Sequence, residues 1–257
     1  MELVFGLFFS FIFGLLIGSF INCWAWRLYQ EESLMNRSYC PQCRQQIRWY
    51  DNIPLISFVL LKGRCRDCQK PISWQYPAVE ILTALLFAVT WFFFGAEPWF
   101  FLKSLITITI LILVLIFDAR WFLIPVNVLI GGFFIVALFG YLASPLGGLE
   151  YLSAFLLSTL VGALFFALQY LLTSGRGVGE GDIWFGVFLG AAFASLKYLA
   201  VALILAYFIG ASVSIFLVLS GKKKWGSRLP LGVFLVIGTL LAWFFGEALS
   251  LWYLSLF

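Results

Sequence analysis

Histidine is absent from this 257-residue sequence, and charged residues make up only 11% of it. The absence of histidine excludes a Ser-His-Asp triad, a Cys-His pair and a histidine-liganded catalytic metal. The shortage of charge excludes a soluble domain, since soluble domains carry about 25% charged residues. Hydrophobic residues, in contrast, make up 63% of the chain. The remaining candidates for chemistry are carboxylates and cysteines in a membrane protein.

Eight long apolar runs divide the sequence. A helix crosses the hydrocarbon core of a bilayer with about 20 apolar residues, and the runs are too long for the strands of a membrane barrel. They cover residues 3–26, 78–95, 99–117, 121–149, 151–175, 183–196, 198–221 and 229–256. We therefore predict an all-α polytopic membrane protein with about eight transmembrane helices, in which 183–196 is a short crossing. Glu2 precedes the first run where a cleaved signal would carry basic residues, so that run is predicted to stay as an anchor.

Basic residues predict the orientation. If all eight runs cross, 14 of the 16 Lys and Arg residues lie on one side, and only Lys103 and Lys197 lie on the other. The positive-inside rule makes the richer side cytoplasmic. This arrangement puts both termini outside and the large polar segment, residues 28–77, in the cytoplasm. That segment is basic, which suits contact with anionic lipid head groups.

The polar segment contains two cysteine pairs, CPQC at 40–43 and CRDC at 65–68, with 21 residues between them. Each C-x2-C motif presents two thiolates, and four thiolates form the tetrahedral site that zinc prefers. A cytoplasmic location argues against disulfides. The pattern predicts a zinc-ribbon-like domain in which Cys40, Cys43, Cys65 and Cys68 hold a structural ion, because four protein ligands leave no open position for water. The alternative is four free cysteines that only pack.

Two of the twelve acidic residues stand at the edge of apolar runs on the cytoplasmic side. Asp118 directly follows ILILVLIF, and Asp182 closes the segment RGVGEGD at 176–182. A carboxyl group at a membrane boundary is costly to place and marks a candidate functional site. Taken singly, each has a structural explanation: Asp182 as a helix N-cap, and Asp118 as an edge charge paired with Arg120. Helix packing can also bring the two aspartates together.

A pair of carboxyl groups can hydrolyse a peptide bond. One accepts a proton from the attacking water while the other, protonated, donates to the carbonyl oxygen, and their mutual repulsion keeps one proton on the pair. Gly179 and Gly181 lack side chains, so an extended substrate backbone is expected to approach closely there. The segment fails the G-x-G-x-x-G dinucleotide fingerprint, because the sixth position is Glu180 or Asp182.

These motifs resemble those of the prepilin peptidases, or type IV leader peptidases, a family of membrane-embedded GxGD aspartic proteases. The GxGD element is Gly179-Glu180-Gly181-Asp182, and Asp118 stands before Ile124 and Pro125 as the family's other aspartate stands before an Ile-Pro or Leu-Pro pair. The resemblance covers nearly the whole chain. It includes GSFINCWAWRL at 18–28, RSYCPQC at 37–43 and LPLGVFL at 229–235.

The resemblance implies a bacterial inner-membrane enzyme that cuts the basic leader from type IV prepilin or pseudopilin precursors at the cytoplasmic face. It also implies N-methylation of the new N-terminus from S-adenosylmethionine. Asp118 and Asp182 are then the catalytic pair, Gly179 and Gly181 line the substrate, and the four cysteines hold zinc. Glu80 matches a family acid that serves in methyl-donor binding or as a structural residue. No nucleic-acid partner is implied, and the oligomeric state is left open.

The resemblance also implies three domains. Residues 1–27 form the first transmembrane helix, 28–77 the zinc-binding loop domain linked to methylation, and 78–257 the transmembrane peptidase domain. Three positions depart from the family pattern: Trp184 replaces a usual lysine, Val126 a usual aspartate and Tyr29 a usual proline. The two aspartates are unaffected, and loss of the usual cation at Trp184 is expected to change either the affinity of the aspartate pair for its shared proton or the choice of substrate.

Two other functions stay open from the residues. One is a membrane transporter or assembly scaffold that carries a structural zinc ribbon. Transport carboxylates are expected near the bilayer midplane, whereas Asp118 and Asp182 are expected at one edge. The other is a GxGD protease that acts on other membrane substrates.

Overall fold

The computed structural model of the protein describes residues 1–144, 148–224 and 226–255. Over these residues the chain forms nine α-helices and one 3₁₀ helix, Trp49–Asn52, and its strand-like pairing is limited to isolated bridges. The helices are α1 Glu2–Tyr29, α2 Ile56–Leu60, α3 Gln75–Phe94, α4 Pro98–Trp121, α5 Val126–Ala143, α6 Gly148–Thr173, α7 Glu180–Phe193, α8 Leu196–Leu219 and α9 Leu231–Leu254. Residues 145–147 and 256, which belong to two of the predicted apolar runs, lie outside the described residues. The predicted all-α membrane fold is confirmed.

Seven helices in the described part of the chain are long and apolar enough to cross a membrane: α1, α3, α4, α5, α6, α8 and α9. The remaining predicted crossing, the run at 183–196, corresponds to α7, which has only 14 residues. At 1.5 Å per residue it is about 21 Å long, which is less than the hydrocarbon core of about 30 Å. It begins after Gly179 and ends where Ala194 adopts a left-handed conformation. The protein is therefore a multi-pass membrane protein, and in the described part of the chain α7 is the predicted crossing that is shorter than a full span.

The chain divides into two compact units, Met1–Ala96 and Glu97–Phe257. In the first unit α1 packs along α3, and glycines allow the two backbones to approach closely. A Cβ atom on Gly14 would lie 2.5 Å from Cα of Ala84, and one on Gly18 would lie 2.7 Å from Cα of Glu80. Small residues at such contacts favour helix association in lipid, where apolar surface alone gives no driving force.

In the second unit α7 is an interior helix that contacts α5, α6, α8 and α9. Phe185 and Phe188 have no exposed surface. A Cβ atom on Gly186 would lie 2.4 Å from the carbonyl oxygen of Gly162 in α6, so this crossing requires glycine on both helices. The helix α4 is also mostly buried and packs against α5 and α9. The two helices that carry Asp118 and Asp182 are therefore both in the interior of this unit.

Candidate active site and metal centre

Asp118 lies in the last turn of α4, and only 6% of its surface is exposed. Its Oδ2 atom accepts a hydrogen bond from the backbone N–H of Val233, at 2.9 Å, and the N–H of Gly232 also donates to the carboxylate. Both donors belong to the first turn of α9, where backbone N–H groups have no partner within the helix. The positive end of the α9 dipole therefore faces this carboxylate.

Asp182 is the third residue of α7, and 8% of its surface is exposed. Its Oδ2 atom accepts a hydrogen bond from the N–H of Gly179 at 2.8 Å, and its own N–H donates to the carbonyl oxygen of Gly179 at 3.1 Å. The bond from the Gly179 N–H to the Asp182 carboxylate is one half of a capping box, and the other half requires a side chain on the N-cap residue, which glycine lacks. The capping explanation for Asp182 thus holds in part, yet an N-terminal capping residue is normally exposed, whereas this one is buried.

The connection between α4 and α5 links the surroundings of the two aspartates, because Ile124, which follows the helix of Asp118, packs on the N-terminus of the helix that carries Asp182. A Cβ atom on Gly181 would lie 2.8 Å from Cβ of Ile124. The site is therefore built from α4, the segment after it, and the first turns of α7 and α9.

Arg120 is not the partner of Asp118. The ion pairs among the described residues are Arg66–Asp51 and Lys197–Glu247, and the guanidinium of Arg120 lies over the ring of Trp121, 5.1 Å from its centre. Asp118 is instead a buried carboxylate that is hydrogen-bonded by backbone. A buried charge must be compensated in this way because its desolvation is costly.

Gly179 and Gly181, at the start of α7, differ in the atoms that surround them. A Cβ atom on Gly179 would make only an ordinary contact, 3.6 Å from Oδ2 of Asp182, whereas Gly181 is closely covered by Ile124. Neither residue has a positive φ. Gly181 is thus required for packing of the loop after α4, and Gly179 is the position with room for a substrate backbone.

Four cysteine sulfurs form a compact cluster in the first unit. The Sγ atoms of Cys40, Cys43, Cys65 and Cys68 all lie within 4.8 Å of one another, and those of Cys40 and Cys68 are 3.9 Å apart. A tetrahedral zinc ion with Zn–S bonds of about 2.3 Å requires sulfurs about 3.8 Å apart. The cluster therefore fits a four-thiolate zinc site.

The two cysteine knuckles are copies of one structure at an offset of 25 residues. Cys40 N–H donates to Gln45 O at 2.9 Å, and Cys65 N–H donates to Lys70 O at 2.9 Å. The isolated bridges Tyr39–Gln46 and Arg64–Pro71 are related by the same offset. The sequence carries the matching signal, C-x2-C-x3-I-x-W, at 40–49 and 65–74.

A surface ion pair links the second knuckle to the 3₁₀ helix. Arg66 donates two hydrogen bonds to Asp51, at 2.6 and 2.8 Å. These bonds lower the pKa of Asp51. The pair fixes the orientation of the knuckle, although exposed pairs of this kind contribute little stability.

Glu80 lies in α3 with 6% of its surface exposed. Its Oε2 atom accepts a hydrogen bond from the N–H of Leu55 at 2.9 Å. Leu55 precedes α2 and has a φ of 60°, which is unusual for a branched residue. The carboxylate thus holds a strained turn at the start of α2, a contact that favours the structural interpretation of Glu80.

Sequence reasoning did not identify Gly232 and Val233 as part of the aspartate site. The available signal was Pro230-x-Gly232 directly before the last apolar run, a pattern typical of a helix start. It did not indicate which side chain the helix start would bind. The 25-residue repeat of the knuckles was also missed, although it can be read directly from the sequence.

Comparison with known proteins identifies the family. Residues 12–94 match the family model described as Bacterial Peptidase A24 N-terminal domain. A Bacillus subtilis (strain 168) protein named prepilin leader peptidase/N-methyltransferase is 35% identical over 247 residues, covering 96% of this chain and 97% of the relative. A protein of the same name from Aeromonas hydrophila is 32% identical over 280 residues, covering 96% and 93%. No solved structure matches the chain. The chain belongs to the prepilin leader peptidase/N-methyltransferase family.

Proposed function

We propose that this enzyme cleaves the basic leader peptide from type IV prepilin-like precursors and then methylates the new N-terminal amine. The observation that carries the cleavage proposal is the pair of buried aspartates, Asp118 and Asp182, in one interior site of a chain without histidine. Family membership supports the same activity. The rival interpretation, a transporter or scaffold, is not favoured by the names of these relatives.

The pair acts as one acid and one base. The ionised aspartate accepts a proton from water as the water oxygen attacks the scissile carbonyl carbon, and the protonated aspartate donates its proton to the carbonyl oxygen. When the tetrahedral intermediate collapses, the C–N bond breaks and the leaving amine takes the proton that came from water. The other aspartate recovers its proton from the hydroxyl group. The pair thus returns to its singly protonated state.

The orientation that we propose places the aspartate pair and the tetracysteine segment in contact with the cytoplasm. The charge pattern supports it, because 14 of the 16 basic residues lie inside when the short helix α7 also crosses the membrane. A precursor with a basic leader and a long apolar helix would present its scissile bond at the same membrane face. The leader and the polar segment are both basic, so direct attraction between them does not explain recognition.

The tetracysteine cluster is the proposed zinc site, with Cys40, Cys43, Cys65 and Cys68 as ligands. An ion held there would fix the two knuckles in a segment that is too polar to form a large core. We assign methylation to the loop domain 28–77 and cleavage to 78–257, with S-adenosylmethionine as the methyl donor. Glu80 is assigned a structural role because its carboxylate already binds Leu55.

The test is leader cleavage of a prepilin-type precursor by the purified full-length protein in detergent. Asp118→Asn and Asp182→Asn are each expected to lower the rate by more than about a thousandfold, since members of a catalytic unit fail together. Asp51→Asn makes the same chemical change at the surface and is expected to leave the rate within about twofold. Zinc content is measured for all three variants. Cleavage near the wild-type rate by either active-site variant would overturn the paired-aspartate mechanism.

A further inference from the structure

The short helix α2 buries a polar residue and exposes apolar ones, which is the opposite of a helix on the surface of a soluble protein. Ser57 is buried and its hydroxyl donates to the carbonyl oxygen of Tyr50 at 2.8 Å. Ile56, Val59 and Leu60 are instead 55%, 71% and 73% exposed. These three residues have the i, i+3, i+4 spacing of one helix face. A contiguous apolar face of this kind marks a contact with something other than water.

The connection of α2 to a membrane-spanning helix indicates what that contact is. Phe58 packs against Trp74, with ring centres 4.9 Å apart. Trp74 is the residue before α3 and is 76% exposed. Tryptophan at the end of a membrane span occupies the lipid–water interface. The ring contact therefore keeps α2 at the level of that interface.

We propose that Ile56, Val59, Leu60 and Trp74 form a membrane-contact patch, through which the tetracysteine segment rests on the surface of the bilayer. The chemistry of the neighbouring residues fits a lipid surface, because Lys62 and Arg64 follow α2 and are exposed. Cations beside an apolar face are typical of interfacial helices, which bury the apolar side and bind anionic head groups with the cations. The patch thus holds the metal centre close to the membrane without a further span.

The proposal is tested with the full-length protein in liposomes of phosphatidylglycerol and phosphatidylethanolamine that contain a lipid with a photoactivatable group near the head-group end of its acyl chain. Trypsin cuts after Arg48 and Lys62, so a single peptide, 49–62, contains α2. Its lipid labelling is expected to approach that of peptides from membrane-spanning helices. In the double variant Val59→Ser/Leu60→Ser the labelling is expected to fall by about fivefold or more, since the apolar face is what enters the lipid.

A matched control is available in the same polar segment. Leu34 and Met35 are also exposed, at 44% and 95%, and lie outside both α2 and α3. Leu34→Ser/Met35→Ser should leave the labelling of peptide 49–62 unchanged. Zinc content shows whether each variant is folded, and the affected side chains are exposed, so both variants should retain the ion.

Two outcomes would overturn the proposal. One is that peptide 49–62 is labelled by a water-soluble photoreactive probe and not by the lipid probe. The other is that lipid labelling is weak while a prepilin-type precursor that carries a photoreactive group crosslinks to this peptide. That result would make the patch a substrate-docking surface. Neither readout depends on catalysis, so this test and the cleavage test can fail separately.

Discussion

The tetracysteine cluster and the aspartate pair are built in opposite ways. The cluster consists of two local turns of the same design, 25 residues apart, in a polar and largely exposed segment. The aspartate site is buried, and the backbone donor to Asp118 is 115 residues away in sequence. The ligands of the cluster are determined by spacing within a few residues. The aspartate site exists only when three helices have packed.

This difference suggests that the two sites respond differently to substitution. A metal centre fails completely when one ligand is lost, since its binding energy is also the folding energy of its segment. A site held by backbone donors depends instead on residues whose contribution is a correctly placed backbone N–H group and not a side chain. Substitutions at the two sites therefore test this contrast.

The largest effect is expected at the metal centre. Cys43→Ser should abolish stoichiometric zinc binding, because a four-thiolate site is closed and each ligand is required. Limited proteolysis should then cut within residues 28–77, while the helices of the second unit remain protected. Metal analysis of the purified protein measures the first result. Retention of zinc by Cys43→Ser would show that the sulfur cluster is not the binding site.

The next largest effect is expected from Gly232→Ala. A Cβ atom there would lie 2.8 Å from Oδ2 and 3.1 Å from Cγ of Asp118. The carboxylate would have to move away from the N–H of Val233, so kcat should fall on the order of a hundredfold with KM little changed, since small displacements of catalytic groups have effects of this size. Gly131→Ala is the matched control, because a Cβ atom at Gly131 meets nothing within 4 Å.

The thermal midpoint can show whether Gly232→Ala acts by displacing the Asp118 carboxylate or only by disturbing helix packing. If the added methyl group acts through the carboxylate, Gly232→Ala should lower the thermal midpoint of the wild-type protein but not that of Asp118→Ala. An equal loss in both backgrounds would contradict the interpretation.

A smaller effect is expected at Gly181. An added Cβ atom would lie 2.8 Å from Cβ of Ile124, an atom that is fixed to the backbone. Gly181→Ala should lower the cleavage rate by about tenfold, and Ile124→Gly, which removes the clashing Cβ atom, should restore part of it in the double variant, as expected for two residues in contact. Absence of rescue would indicate that Gly181 is needed for approach of the substrate rather than for packing.

The smallest effect is expected at the surface pair of the second knuckle. Because Arg66 lowers the pKa of Asp51, the pair stabilises the fold above the ordinary carboxyl pKa of about 3.9, and this contribution disappears as the pH falls through the lowered value. The Arg66 side chain is 43% exposed and the Asp51 side chain 9% exposed. Because solvent screens the guanidinium and asparagine keeps the shape of the aspartate side chain, Asp51→Asn should change the thermal midpoint at pH 7 by no more than about 2 °C. A larger shift would show that the knuckle depends on this contact.

The parts of the molecule that local spacing determines were predictable. Run length predicts the seven long helices, and C-x2-C spacing predicts the four sulfurs that come together. Asp118 and Asp182 were each identifiable as candidate functional residues, because a carboxyl group at the end of an apolar run is energetically costly to place. The backbone donor that binds Asp118 was not identifiable, because Val233 contributes only its N–H group, which every residue type except proline has. The 14-residue length of α7 matches the run predicted at 183–196, but its crossing was not predictable, because apolar composition does not distinguish a buried short helix from a span.

The hydrogen bond from Val233 to Asp118 has a consequence for biogenesis. Both aspartates enter the membrane before α9 has been synthesised, yet Asp118 gains its backbone donors only when α9 is in place. A nascent chain that ends before residue 231 therefore contains both acids without an assembled site. Assembly of the aspartate site is thereby tied to insertion of α9.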